Sequence, residues 1–170
     1  MRRVLATALL TLVASAAGTV TATAQGEHFI GAITCTKSLT SGLTCSGKAA
    51  GLGNRATAAF LSAESVRADY ICVNRGGNTA PGQGTEFNRV VGPSRNFNPR
   101  NGQITFNNVN LPIPDAPSAP DAGCPNGNWR LDLTRVVYND VVLHIQQNGT
   151  DILFKDLGDI VIPPEGTVVF

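Results

Sequence analysis

Trp129-Arg130-Leu131-Asp132-Leu133-Thr134, then Val141-Val142-Leu143-His144-Ile145-Gln146, then Gln147-Asn148-Gly149-Thr150-Asp151-Ile152 form the clearest stretch of the chain. In the first run Trp129, Leu131 and Leu133 alternate with Arg130, Asp132 and Thr134. In the second, Val141, Leu143 and Ile145 alternate with Val142, His144 and Gln146. Period two is the signature of half-buried strands. Asn148-Gly149 favours a two-residue turn because both residues tolerate positive φ, so a hairpin into Ile152 to Lys155 is predicted.

The same grammar extends outward. Strands are expected at Phe29 to Thr36, Leu43 to Ala49, Ala56 to Ser62, Val66 to Val73, Glu86 to Val91 and Gln103 to Asn110, separated by Gly, Asn and Pro. Ala56 to Ala68 is rich enough in alanine for a helix. Arg67 and Asp69 nevertheless alternate with Val66, Ala68, Tyr70 and Cys72, which favours a strand. Asn74 to Gly84 reads as a Gly-rich loop. Leu111 to Pro125, with prolines at 112, 114, 117, 120 and 125, reads as an extended connection without ladder bonds. About eight or nine short strands with no helix predict an all-β, antiparallel, immunoglobulin-like β-sandwich. Trp129 is expected in its core beside Cys124.

Met1-Arg2-Arg3, the apolar run from Val4 to Ala17 and Ala22-Thr23-Ala24 make residues 1–24 a signal peptide and residues 25–170 a single domain. The run is shorter than the roughly 20 residues needed to span a bilayer, and no later stretch replaces it, so no transmembrane segment is expected. The predicted location is secreted, extracellular or loosely associated with the cell envelope. Only 15% of residues are charged, against about 25% in typical domains. Net charge is +1, or −1 once Arg2 and Arg3 are removed, which leaves no field to attract nucleic acid.

Cys35, Cys45, Cys72 and Cys124 are an even set, suited to an oxidising compartment. Three pairings are open. Cys35 with Cys45 across a short turn, and Cys72 with Cys124 tying early strands to late ones, is the preferred one. The close-spaced cysteine pairs of a zinc site are absent.

The runs Cys72-Val73-Asn74-Arg75-Gly76-Gly77-Asn78, Ala80-Pro81-Gly82-Gln83, Asn101-Gly102-Gln103-Ile104-Thr105-Phe106 and Cys124-Pro125-Asn126-Gly127-Asn128-Trp129 resemble a functionally uncharacterised group of small exported actinobacterial proteins. The resemblance implies an exported, disulfide-tied β domain and carries over no active site. Secreted subtilisin inhibitors share two disulfides and a β-rich core, but their cysteine spacing differs.

Catalytic signals are sparse. Gly42 to Ala49 nearly spells a phosphate-binding loop, but Ala49 stands where a hydroxyl is required and no helix is predicted to follow. His28 and His144 are the only histidines, no G-x-S-x-G elbow occurs, and His144 is expected to face outward. Asp151, Asp156 and Asp159 are the densest carboxylates. They lack calcium-loop spacing and are read as turn caps. No metal and no cofactor is expected. Arg89, Arg95 and Arg100 form the only basic cluster. The leading reading is a non-enzymatic module that binds a protein or cell-envelope component through Arg75, Asn78 and Gln83 in the Gly-rich loop, the Pro-rich loop, and Arg89, Arg95 and Arg100. A small secreted hydrolase using dispersed carboxylates or His144, and a protease inhibitor presenting the Pro-rich loop in extended form, are the alternatives.

Overall fold

Apolar side chains at alternate positions give each extended segment one oily face, and such faces are hidden by pressing two sheets together. A computed structural model of the chain describes residues 26–170, and the expected signal segment lies outside them. The strands are β1 (His28–Phe29), β2 (Thr34–Ser38), β3 (Gly42–Ala50), β4 (Thr57–Val73), β5 (Thr79–Pro81) and β6 (Thr85–Val91). They continue with β7 (Arg95–Phe97), β8 (Ile104–Leu111), β9 (Arg130–Gln147), β10 (Thr150–Ile162) and β11 (Gly166–Val169). No helix occurs among the described residues.

One antiparallel sheet centres on β3, which pairs with β1, β2 and β8, and β11 lies beyond β2. The other runs β10, β9, β4, and the remaining edge of β4 is shared end to end by β7, β6 and β5. Leu43, Phe106 and Val109 from the first sheet meet Leu61, Tyr138 and Leu143 from the second in one cluster, all fully buried. A smaller apolar group, Ala68, Tyr70, Cys72, Val73, Ala122 and Cys124, is buried outside that cluster, at the far end of β4.

The all-β, two-sheet expectation is realised, as are both preferred disulfides, Cys35–Cys45 and Cys72–Cys124. The hairpin also forms: Asn148 (φ 52°) and Gly149 (φ 77°) join the Gln147–Thr150 pair. The strands themselves differ from the predicted set. There are eleven, and β4 and β9 are long, at 17 and 18 residues. The predicted pieces Ala56 to Ser62 and Val66 to Val73 merge into one strand from Thr57, and Trp129 to Thr134 and Val141 to Gln146 merge into another from Arg130. In β4 the buried set shifts from Ala59, Leu61 and Ala63 to Val66, Ala68 and Tyr70. In β9 it shifts from Val136 and Tyr138 to Val141, Leu143 and Ile145. A period-two pattern read along the sequence ends where the phase changes, whereas the strand carries on with its faces exchanged.

Trp129 is a correction. It is only half-buried, outside the core, because it precedes β9 at the loop end instead of lying within the sandwich. Part of the Gly-rich loop is strand β5, laddered to Ile71, Cys72 and Val73. Leu111 to Pro125 has no strand after Leu111, yet it lies on the body. Ile113 packs against the core, Ala122 is buried, and the Ala122 carbonyl accepts the Gln83 N–H at 2.8 Å.

Candidate functional site

Two places combine open space with polar chemistry. The first is the loop end. Cys72 is held in β4 by β9 and β5, and its bond to Cys124 pins the Pro-rich segment there. The chain turns sharply after Val73: Asn74 Oδ1 accepts the Asn78 N–H at 2.9 Å, and the Asn74 N–H donates to the Asn78 carbonyl at 3.0 Å. Opposite, Asn126 Oδ1 accepts the Asn128 N–H at 3.0 Å. Between these turns lies an open groove of about 370 Å³, lined by Asn74, Arg75, Gly76, Asn126, Asn128 and Trp129. Of the predicted contact residues, Arg75 stands in this groove and Asn78 closes its turn. Gln83 braces the neighbouring loop, with its side chain packed where a Cβ on Gly123 would fall.

Beside the groove, Arg130 and Asp132 form an exposed ion pair at 2.9 Å, and the Arg130 hydrogen bond holds the Asp132 carboxyl below its usual range. That pair neutralises itself. Among the described residues Arg75 has no carboxylate within salt-bridge distance.

The second place is the outer face of the six-stranded sheet. Core-facing Leu61, Leu143 and Ile145 alternate with outward Ser62 and His144, so strand parity sets the direction of these polar groups. Asp151 on β10 lies 2.9 Å from His144 Nδ1, and His144 Nε2 lies 2.8 Å from Ser62 Oγ. The imidazole stacks on Phe60, its cross-strand neighbour, at 4.6 Å between centroids and 8° between planes. Stacking leaves the His144 side chain 18% exposed, with Asp151 at 38%. The outward placement expected for His144 is therefore correct, but it is half-buried and bonded at both nitrogens.

Ser62 opens on a hollow of about 510 Å³ that also includes Glu64, Arg89, Val91, Asp140 and Val142. The hollow forms where the strands change phase. Arg89 (φ 52°) on β6 and Asp140 (φ 50°) on β9 flank Glu64 on either side, and the registered pairs of β4 skip this level. Asp159 Oδ1 accepts the Asp140 N–H at 3.0 Å, and Asp156 Oδ1 accepts the Gly158 N–H at 2.8 Å. Asp156 and Asp159 thus cap irregular backbone, as expected, whereas Asp151, expected as a third cap, pairs with His144 instead. Among the described residues no group of three or more His, Cys, Asp or Glu could hold a metal ion.

The basic cluster does not assemble. Arg89 lines the Ser62 hollow, Arg95 on β7 donates to the Asn108 carbonyl at 3.2 Å, and Arg100 borders a separate hollow with Phe97 and Gln103. Neighbours in sequence are dispersed here because β6 and β7 occupy successive stretches of the same β4 edge.

Sequence reasoning offers His144 as a hydrolase candidate but misses Ser62 and Asp151 as its partners. A signal for one of them exists: the Asn148-Gly149 turn fixes Asp151 opposite Gln146, one diagonal step from His144 on the same face. Nothing local announces Ser62, 82 residues from His144. No protein-family model, curated protein or solved structure matches this chain.

Proposed function

We propose that the protein is an exported binding module that holds a hydroxyl-rich polymer of the cell envelope at its loop end. One observation carries the reading: the half-buried Trp129 lies in an open groove together with the Arg75 guanidinium and the side-chain amides of Asn74, Asn126 and Asn128. Among the described residues Arg75 has no carboxylate partner. The Oδ1 atoms of Asn74 and Asn126 each already accept a backbone N–H in their own turns, and their NH2 groups offer donors to a ligand. An indole face suits the C–H face of a sugar ring, and amide and guanidinium donors suit its oxygens. The Cys72–Cys124 bond and the Gln83–Ala122 hydrogen bond hold both walls before binding, which lowers the entropy lost on association.

Export is supported by the signal-like start and by two disulfides with no free cysteine. No helix among the described residues is long and apolar enough to cross a membrane. The immunoglobulin-like label rests on strand order: β2-β3-β8 and β4-β9-β10 correspond to the A-B-E and C-F-G strands of such domains. An inhibitor would present the Pro-rich segment clear of the body, and here Ile113 and Ala122 anchor it instead.

Trp129 is the only tryptophan, so its emission reports directly on the groove. Titration with solubilised peptidoglycan fragments should give a saturable emission change. Trp129→Ala removes that signal and retention on insoluble cell wall, and Arg75→Ala weakens binding about 10-fold, the loss of one charge-assisted contact. No emission change, together with no retention on cell wall, removes the reading.

A further inference from the structure

We propose that Ser62, His144 and Asp151 form an acyl-transfer centre for short carboxylic esters, separate from the loop-end groove. The two ring nitrogens are used in the order the chemistry requires. An ionised carboxylate only accepts hydrogen bonds, so Asp151 fixes the proton on Nδ1 at 2.9 Å and leaves the Nε2 lone pair toward Ser62 Oγ at 2.8 Å. Phe60 stacks flat on the imidazole and blocks its rotation. The serine is at the edge of a hollow of about 510 Å³, within the range of small-molecule sites.

In the forward step Ser62 Oγ bonds to the ester carbonyl carbon while its proton passes to His144 Nε2. The C–O bond to the alcohol then breaks, and the alkoxide leaves with that proton. Water repeats the sequence on the acyl-serine, releases the carboxylic acid and restores the hydroxyl. Ser62 and His144 are the catalytic residues, and Asp151 is a positioning residue. Arg89, the one cation lining the hollow, is assigned to the charge that develops on the carbonyl oxygen. Val91, 60% exposed, and Val142 favour an apolar acyl chain. An ester fits better than an amide, because an open hollow offers little exclusion of water and an alkoxide is the easier leaving group.

The test uses the oxidised protein with a fluorophosphonate probe and p-nitrophenyl butyrate. The expected result is a covalent adduct mapped to Ser62, absent from Ser62→Ala and His144→Ala, and saturable hydrolysis that falls at least about 100-fold in both. Asp151→Asn should lower kcat with KM unchanged, and Asp151→Glu should recover part of the loss. Arg89→Ala should lower kcat without preventing adduct formation. No adduct on the wild-type protein, or hydrolysis that survives Ser62→Ala, overturns the proposal and leaves the Trp129 titration untouched.

Discussion

Cys35–Cys45 and Cys72–Cys124 are the same cross-link in opposite surroundings. Cys35 and Cys45 face each other directly across β2 and β3, laddered on both sides and buried in the main core. Cys72 is laddered in β4, but Cys124 belongs to a segment with no strand pairing, over a small apolar group apart from that core. The first bond fastens residues that sheet hydrogen bonds and burial already hold together. The second adds a covalent tie to a region held otherwise only by Ile113, Ala122 and a few loop hydrogen bonds, without a strand ladder, and that region carries the groove. The difference lies in the unfolded chain as well: the second bond spans 52 residues, the first only 10.

The largest effect should come from the main core. The Phe106 ring is packed so tightly over β3 that a Cβ on Gly47 would fall 2.6 Å from it. Phe106→Ala should cost about 3–5 kcal/mol in denaturant unfolding, and a smaller loss would mean that the sandwich can collapse around the gap.

Next come the disulfides. Loop entropy assigns about 4 kcal/mol to Cys72–Cys124 and about 3 kcal/mol to Cys35–Cys45. The sharper readout is regional. Limited proteolysis of the Cys72→Ala/Cys124→Ala protein should cut within residues 112–128 and abolish the Trp129 response. The Cys35→Ala/Cys45→Ala protein should keep both protected. Equal cleavage in the two variants would break the comparison.

The smallest effect concerns the tyrosines, one in each region. Burial pushes both hydroxyls above their ordinary range, Tyr138 in the main core much further than Tyr70 in the smaller group. The folded state therefore keeps protons that the unfolded chain loses from about pH 10. This contribution to stability is complete below that pH and declines as pH rises toward the folded values. Tyrosinate absorbance should appear only together with loss of β circular dichroism. Tyr70 is 5% exposed and its hydroxyl has no partner among the described residues, so Tyr70→Phe should gain up to about 1 kcal/mol. An absorbance step in the intact fold would show that one tyrosine is open to solvent.

Much of this architecture is legible in the chain because it depends on near neighbours. Val141, Leu143 and Ile145 announce a buried face, Asn148-Gly149 announces the turn, and the even cysteine count announces two bonds. The alternating pattern breaks at Ser62 to Val66 and at Thr134 to Val141, where the phase changes, so each long strand looks like two. Short strands such as β5 and β7 carry too few residues to display a period. Trp129 was misplaced because a large aromatic beside an alternating run resembles a core residue until the strand is known to begin at Arg130.

The sequence by itself determined the all-β class, the hairpin and the supply of cysteines, since alternation, turn geometry and oxidisable thiols are properties of short segments. Only the tertiary structure decided that Ser62, His144 and Asp151 share one row, that three arginines part company, and that a tryptophan borders a groove. Those outcomes depend on which strands become neighbours and in what register, and that is fixed by burying the faces of both sheets at once.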